Sequence, residues 1–437
     1  MIPDCGGAEP LAPPVPPIHG HPGRDSRRDE AGHTPASISD VGPRGLSVGP
    51  NRDSRRSPMT TATGILDFPK GSEPRLRQLG DGLGDGLVEA SDDPFMPAEL
   101  VEELNLRPAQ QLTVEVGQRK PRRRRRSGGR APRPVVEEIL KIEGLELSDY
   151  TGRKTFEELT PIDPQPRMEL EHRGCPPACR LIDLFCPIGY GTRGLIVAPP
   201  KAGKTILLQQ IAAGIKHNHP DVDVVALLID ERPEEVTDFR RNVPAEVLAS
   251  SNDMDIDTHC RLGMLAIERA KRKLEAGRDV VVLLDSLTRL GRAFNNSRSF
   301  RQSGRTMSGG LDSRALEIPK QLFGSARNAE EGGSLTIIAS CLVDTGSRAD
   351  QVIFEEFKGT GNMELVLDRG IAEKRLFPAI NLAASGTRKE HLLMGDRELK
   401  TITALRRRLI SMPPPTQIDQ LLKAVDRYPT NEAMVSA

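Results

Sequence analysis

The run Leu195-Ile196-Val197-Ala198-Pro199-Pro200-Lys201-Ala202-Gly203-Lys204-Thr205 is a short apolar strand that passes directly into a phosphate-binding loop. It constrains the fold strongly. A loop of this order has to be backed by a buried strand and continued by a helix. Its backbone N–H groups wrap an anionic phosphate chain, and the helix turns its positive dipole end on the same site. Lys204 is placed to reach the β/γ-phosphates, and the Thr205 hydroxyl to bind Mg²⁺. Ala198 stands where a first Gly is usual, so a small residue must make the opening turn. The apolar helix from Ile206 to Ala212 supplies the confirming context. The bland alternative, a chance Gly/Lys loop, has no need of that flanking strand and helix. The chain is expected to bind a nucleoside triphosphate.

Two further apolar strands end in acids. Val280-Val281-Val282-Leu283-Leu284-Asp285 is a run bounded by polar residues, as buried parallel strands are. Asp285 emerges at its carboxyl end, where ligands of open α/β sheets gather, and can hold Mg²⁺ through water beside Thr205. Val224–Ile229 leads into Asp230-Glu231-Arg232-Pro233-Glu234-Glu235. Glu234 and Glu235 suit the first turn of the next helix, where acids meet the positive dipole end. Glu231, the first carboxylate after the strand-ending Asp230, is the candidate for polarising an attacking water.

The 437 residues allow two or three domains, and 61 basic against 61 acidic residues give a formal net charge of zero. That balance hides a local asymmetry. Arg119-Lys120-Pro121-Arg122-Arg123-Arg124-Arg125-Arg126 could neutralise several phosphates of a nucleic acid, or serve only as a solvated linker arm. Six scattered cysteines, with no signal peptide and no long apolar run, point to a reduced cytoplasmic protein without a membrane span. Cys175, Cys179, Cys186 and His172 fit no common zinc spacing. With no Trp and three Tyr, a surface rich in base-stacking aromatics is not expected.

Along the chain, residues 1–60 are rich in Pro, Gly, Ser and Arg, repeat Asp-Ser-Arg-Arg at Asp25 and Asp53, and are expected to be disordered. Met59 offers an alternative start. Residues 61–118 turn partly globular, with Leu-rich patches and Gly-Asp-Gly-Leu at Gly80 and again at Gly84. The basic linker occupies 119–134. From Val135 to the end the pattern alternates strands and helices, which implies a doubly wound parallel sheet. The helix expected over Asp257–Ala276 places Leu262, Leu265, Ile267, Ala270 and Leu274 inward and its Arg and Lys outward, with Gly277 as the stop. From Arg397 the chain reads as helical, broken at Met412-Pro413-Pro414-Pro415.

The blocks Gly194–Thr205, Leu228–Val236, Leu283–Thr288, Gly332–Ala339, Glu355–Glu364 and Ile371–Ala379 resemble the bacterial transcription termination factor Rho family, in the same order and over about the last two thirds of the chain. The resemblance implies a ring homohexamer of RecA-like P-loop ATPase motors that translocates on single-stranded RNA with ATP and Mg²⁺. Such a ring releases the transcript from the RNA polymerase elongation complex. It assigns phosphate and nucleotide contact to Lys201, Ala202, Gly203, Lys204, Thr205 and Ile206, and metal holding to Thr205 and Asp285. Water activation would fall to Glu231 and a nucleotide contact to Arg232. Gly189, Tyr190, Gly191, Thr192, Arg193 and Gly194 are similar to the family's nucleotide-contacting segment. Phe377 resembles the ring that packs on adenine, and Arg388 the arginine finger given to the neighbouring subunit's γ-phosphate.

Two loops resemble the family's central-pore RNA contacts: Ser303-Gly304-Arg305, and Asp344-Thr345-Gly346-Ser347-Arg348, with Arg305, Thr345 and Arg348 as the contacts. The largest departure lies upstream. The family carries an oligonucleotide-binding (OB) barrel with a Gly-aromatic-Gly-aromatic motif. Here Gly64–Phe68 and Pro94–Leu106 resemble remnants of it, the motif is missing, and the basic run sits where a barrel strand is expected. The expectation is a degenerate OB-like region in front of the motor. Two alternatives stay open at this point: a nucleotide-gated RNA clamp that does not translocate, and a rotary ATPase subunit.

Overall fold

The structure is a computed structural model that describes residues 60–69, 72–78, 92–119, 133–300, 310–312 and 314–436, all within the compact unit Arg56–Ala437. The tail expected to be disordered, the arginines of the basic run from 122 to 126, and Arg305 lie outside the described residues.

A small antiparallel sheet comes first, in the order β2-β1-β3-β4-β5: β1 (Thr60–Asp67), β2 (Arg75–Gln78), β3 (Gln111–Arg119), β4 (Arg133–Ile142) and β5 (Leu145–Glu146). Alternation builds it. Leu112 and Val114 of β3 turn inward, onto Leu66, Leu76, Val136, Ile139 and Ile142. A Cβ on Gly64 would lie 2.4 Å from the Arg77 carbonyl oxygen, so only Gly allows β2 so close. Helix α1 (Ala98–Glu103) follows the segment Pro94–Met96, which joins the two sides of the sheet. Leu76 N–H donates to Pro94 O and Met96 N–H to Pro74 O, while Phe95 N–H donates to Pro134 O and Val136 N–H to Phe95 O. The segment thereby links β2 to β4 and closes the sheet on itself.

This corrects two expectations. Residues 119–134 are not a linker between domains, and the motor does not begin at 135. β3 and β4 pair from Leu112↔Ile142 to Arg119↔Arg133, so the charged run connects two strands of one small domain. A run of like charge has the composition of a linker wherever it sits, and composition alone cannot show which strands flank it.

After the short helix α2 (Leu147–Tyr150), the larger sheet has the order β14-β13-β7-β12-β10-β8-β9. Its strands are β7 (Arg193–Ala198), β8 (Asp223–Glu231), β9 (Glu246–Ser251), β10 (Asp279–Asp285), β12 (Ser334–Leu342), β13 (Met363–Val366) and β14 (Gly386–Thr387). The short strands β6 (Pro161–Ile162) and β11 (Arg327–Ala329) lie off this path. From β13 to β9 all pairings are parallel. Successive side chains of β7 go to opposite cores: Leu195 and Val197 to one, Ile196 and Ala198 to the other. One face is covered by α3 (Pro177–Phe185), α4 (Lys204–Asn218), α5 (Pro233–Asn242) and the later α10 to α12, and the other by α6 to α9. These are α6 (Ile256–Glu275), α7 (Leu287–Asn296), α8 (Glu317–Gly324), α9 (Arg348–Phe357), α10 (Arg369–Glu373), α11 (Asp396–Ile410) and α12 (Pro414–Arg427), and the chain closes with α13 (Asn431–Ser436).

Helix α6 keeps its expected apolar stripe at Leu262, Ile267, Ala270 and Leu274, and Gly277 takes φ +83° as its stop, but Leu265 is only half-buried. Its basic face is not solvated. Arg269, Arg272 and Lys273 are buried. Arg269 pairs with Glu143 of the small domain, and Arg107 of that domain pairs with Glu275. A face that a second domain covers reads in sequence like one that water covers.

Candidate active site

The parallel sheet brings the carboxyl ends of β7, β10 and β8 to one edge, where the expected Lys204, Thr205, Asp285 and Glu231 meet. The loop after β7 turns through left-handed backbone at Lys201 (φ 65°) and Gly203 (φ 88°), the alternation that points successive N–H groups at an anion. Gly203 caps α4 without a side chain, so the helix's first N–H groups are left for a ligand.

Lys204 Nζ contacts the carboxylate of Asp285, the last residue of β10, which also accepts a hydrogen bond from Ser340 Oγ at 3.0 Å. Thr205 Oγ1 lies 3.5 Å from the other Asp285 oxygen. A hydroxyl and a carboxylate are hard oxygen donors that suit Mg²⁺, which keeps several waters and takes substrate phosphates rather than an all-protein cage. No cluster of three or more His, Cys, Asp or Glu able to hold a metal occurs among the described residues.

Glu231 ends β8 and is 3 % exposed. Arg289 Nη2 donates to its Oε1 at 2.9 Å, while Oε2 is buried without a partner. Burial raises the Glu231 carboxyl pKa to about 7. Repulsion from Asp285 adds to the rise, and Arg289 and Lys204 oppose it. Such a group gains or loses its proton near neutrality, as a general base must. Glu234 and Glu235 occupy the first turn of α5 as expected, and Arg232 is its exposed N-cap.

Phe377 is 42 % exposed and lies over the loop, its ring 3.5 Å from where a Cβ on Gly203 would stand; Ile206 beside the loop is 59 % exposed. Two exposed apolar groups at the loop's rim form a surface on which a base can pack.

Gly189 to Gly194 and Arg388 are not brought to this edge. They lie at the amino end of β7, six residues of strand away from the loop, roughly 20 Å at the usual rise. Gly189 N–H donates to Thr192 Oγ1 and Gly191 N–H to Thr336 Oγ1, Tyr190 O–H reaches His219, and Asn362 Oδ1 accepts from Arg193 N–H. Arg388 N–H donates to Asn362 O, and its guanidinium to Gly359 O at 3.2 Å. Burial and the neighbouring Arg388 hold the Arg193 pKa below its usual value. Within one chain the strand that leads into the loop separates Gly189–Gly194 from it.

Of the expected pore contacts, Arg348 is the exposed first residue of α9, and Thr345 Oγ1 donates to Asp350 Oδ2 at 2.6 Å. Arg292 of α7 holds the same carboxylate through both oxygens. Sequence reasoning missed Arg289, which holds Glu231, and Ser250 and His259, which lie against the preceding Asp230. For Arg289 the one available signal is its place a helical turn after Asp285, where Ser286 caps α7. Ser250 and His259 gave none.

Residues 178–387 match the ATP synthase alpha/beta family, nucleotide-binding domain. The chain is 47% identical over 345 residues to a transcription termination factor Rho of Akkermansia muciniphila (79% of this chain, 70% of that protein). It is 46% identical over 370 residues to one of Streptomyces coelicolor (85% and 84%), and 45% identical over 379 residues to one of Borreliella burgdorferi (85% and 69%). Among solved structures, an ATPase of a bacterial type III secretion system shares the fold with TM-score 0.51 at 22% identity, over 63% of this chain and 87% of that one.

Proposed function

The chain belongs to the transcription termination factor Rho family, and from that premise we propose that six copies form a ring that pulls single-stranded RNA through its centre and parts it from DNA. Its motor is an ATPase, and its role is transcription termination. The ring would act on the RNA polymerase elongation complex in the cytoplasm; among the described residues no helix is long and apolar enough to cross a membrane.

The observation that carries the proposal is the separation along β7. Lys204, Thr205, Asp285 and Glu231 share one edge of the sheet, whereas Arg388 stands at the other end of the strand that feeds the loop. A second copy of the chain, packed edge to edge, is needed to present Arg388 to a nucleotide held here. Gly189–Gly194 would come with it, contacting the neighbour's nucleotide rather than their own. A closed ring supplies that arrangement at every interface.

In the proposed cycle, the loop N–H groups from Lys201 to Thr205 cradle the phosphates, and Lys204 leaves Asp285 for the β/γ-phosphates. Arg232 contacts the nucleotide, and its base packs on Phe377 and Ile206. Thr205 and Asp285 would hold Mg²⁺, which when bound neutralises charge on the phosphate oxygens. Glu231 takes the proton of the attacking water at Oε2, and the neighbour's Arg388 stabilises charge on the transferring phosphoryl group. Arg305, Thr345 and Arg348 would hold the RNA backbone, and the small domain with its basic run would receive RNA first, in place of the stacking motif it lacks.

The test is steady-state ATP turnover with and without homopolymeric RNA, together with separation of an RNA–DNA duplex carrying a single-stranded RNA tail. The proposal expects RNA-stimulated turnover and strand separation that both need ATP. Turnover indifferent to RNA, or RNA binding without strand separation, contradicts it.

A further inference from the structure

Glu231 is aimed by an irregular piece of backbone. β8 and β9 run in register from Val225↔Glu246 to Ile229↔Ser250 and then slip, so that Glu231 faces Ser251 and Asp230 is the extra residue of a bulge. Asp230 takes φ 55°, a left-handed conformation that is uncommon for a residue with a Cβ and that Asp tolerates better than most. Bulges beside active sites re-aim a side chain, and strain of this kind persists only where the surroundings over-determine it.

The surroundings here are specific. Asp230 N–H, pulled out of the ladder, donates to Ser250 Oγ at 3.3 Å, and its carbonyl oxygen accepts from Arg289 Nη1. Ser250 Oγ lies 2.9 Å from His259 Nδ1. With the Asp230 amide donating to that oxygen, the Ser250 hydroxyl has its own proton to donate to Nδ1 of a neutral ring. The ring proton then sits on Nε2, facing Asp230 Oδ1 at 3.9 Å. Ser250 is fully buried and His259 is 4 % exposed. Burial lowers the His259 pKa and favours this neutral ring. His259 stands in the first turn of α6, a helix anchored at its other end to the small domain through Arg269. It touches neither the loop nor the place of the nucleotide.

We infer that His259 is a positioning residue for ATP hydrolysis: through Ser250 it fixes the left-handed Asp230 bulge and so aims the Glu231 carboxylate at the water-attack position. The inference rests on the reading of Glu231 as the base. A side chain that merely filled the core would contribute to stability and leave the chemical step alone. His259 is instead expected to govern kcat while leaving nucleotide affinity untouched.

The test uses the full chain, with RNA and ATP present, and compares His259→Leu, His259→Asn, Ser250→Ala and the His259→Leu/Ser250→Ala double variant. Turnover, KM and the Kd of a fluorescent ATP analogue are read beside the thermal midpoint. A misaimed group typically loses about 10- to 100-fold in rate, so His259→Leu and Ser250→Ala should each lower kcat by that factor with Kd unchanged. The double variant should lose no more than either single one, because both break one hydrogen-bonded chain. Asn, whose amide oxygen can accept from Ser250, should recover part of the loss. Ser250→Ala removes a single oxygen and keeps the proposal decidable if His259→Leu fails to fold. Full kcat in folded Ser250→Ala, additive losses in the double variant, or kcat loss that only follows loss of folded protein, overturns the inference. Glu231→Gln separates the two ideas. If it keeps normal turnover, the reading of Glu231 fails; if it is inactive while Ser250→Ala is normal, only the role of His259 fails.

Discussion

Arg289 holds one oxygen of Glu231 at 2.9 Å and leaves the other buried without a partner. The carboxylate is thus oriented but not fully neutralised. Burial lifts its pKa to about 7. As a base it works only when deprotonated, so kcat/KM should rise about tenfold per pH unit below 7 and level off above. A pH series of turnover at ATP concentrations well below KM checks this. Glu231→Gln should bind ATP, lose about 10²–10⁴-fold in rate and lose that acid limb; a near-normal rate would move the role to Asp230 or Glu234.

Lys204 pairs with Asp285 and is the one Lys at the end of the loop. Lys204→Ala should abolish turnover, because the β/γ-phosphates lose their charge partner and Asp285, 1 % exposed, loses its own. Phosphate release by the purified variant is the measurement, and wild-type turnover is the outcome that sinks the motor assignment.

The Arg269–Glu143 pair ties the small domain to α6, with side chains 4% and 0% exposed. Breaking one side leaves a buried charge, so Arg269→Ala should cost about 3–5 kcal/mol in urea unfolding. The double change Arg269→Met with Glu143→Leu should cost far less, since no charge is left unpaired. Equal losses in the single and double variants would show that the pair matters through packing alone.

The basic run from Arg122 to Arg126 lies in the chain between β3 and β4 of the small domain. Replacing the five arginines with Ser should flatten the salt dependence of RNA affinity, by about 0.7 in log–log slope for each phosphate no longer neutralised on a single strand. Poly(C) and poly(A) binding should weaken alike, because phosphate contacts carry no direct sequence information. A weakening confined to poly(C) would assign the run to base recognition, and an unchanged slope would reduce it to a connection.

The motor was legible because its chemistry and its strands coincide. Leu195–Thr205, Asp285 and Glu231 announce themselves as apolar runs ending in functional groups, and the sheet puts their ends together. What stayed hidden depended on the packing of distant segments. Ser250 and His259 are ordinary residues until β9 and α6 carry them beneath Asp230. The buried Arg269 obeys the pattern of a solvated helix face until Glu143 of the small domain meets it. The closure by Pro94–Met96 rests on backbone hydrogen bonds, which leave no side-chain signature. The placement of Arg388 opposite the loop follows from strand direction, which residue spacing does not encode.

If each ATP site is shared between two copies of the chain, rings that mix two inactive variants should recover activity. Arg388→Ala alone should bind ATP and lose turnover, and Lys204→Ala alone should be inactive; fingers acting in trans contribute about 10³–10⁵ in rate in other phosphoryl-transfer systems. When the two variants are co-assembled, interfaces that join the loop of an Arg388→Ala copy to the Arg388 of a Lys204→Ala copy regain every group. RNA-stimulated ATP turnover should reappear in rings verified to contain both. Verified mixed rings that remain as inactive as either parent, or an Arg388→Ala protein that hydrolyses ATP at the wild-type rate, would contradict a shared site.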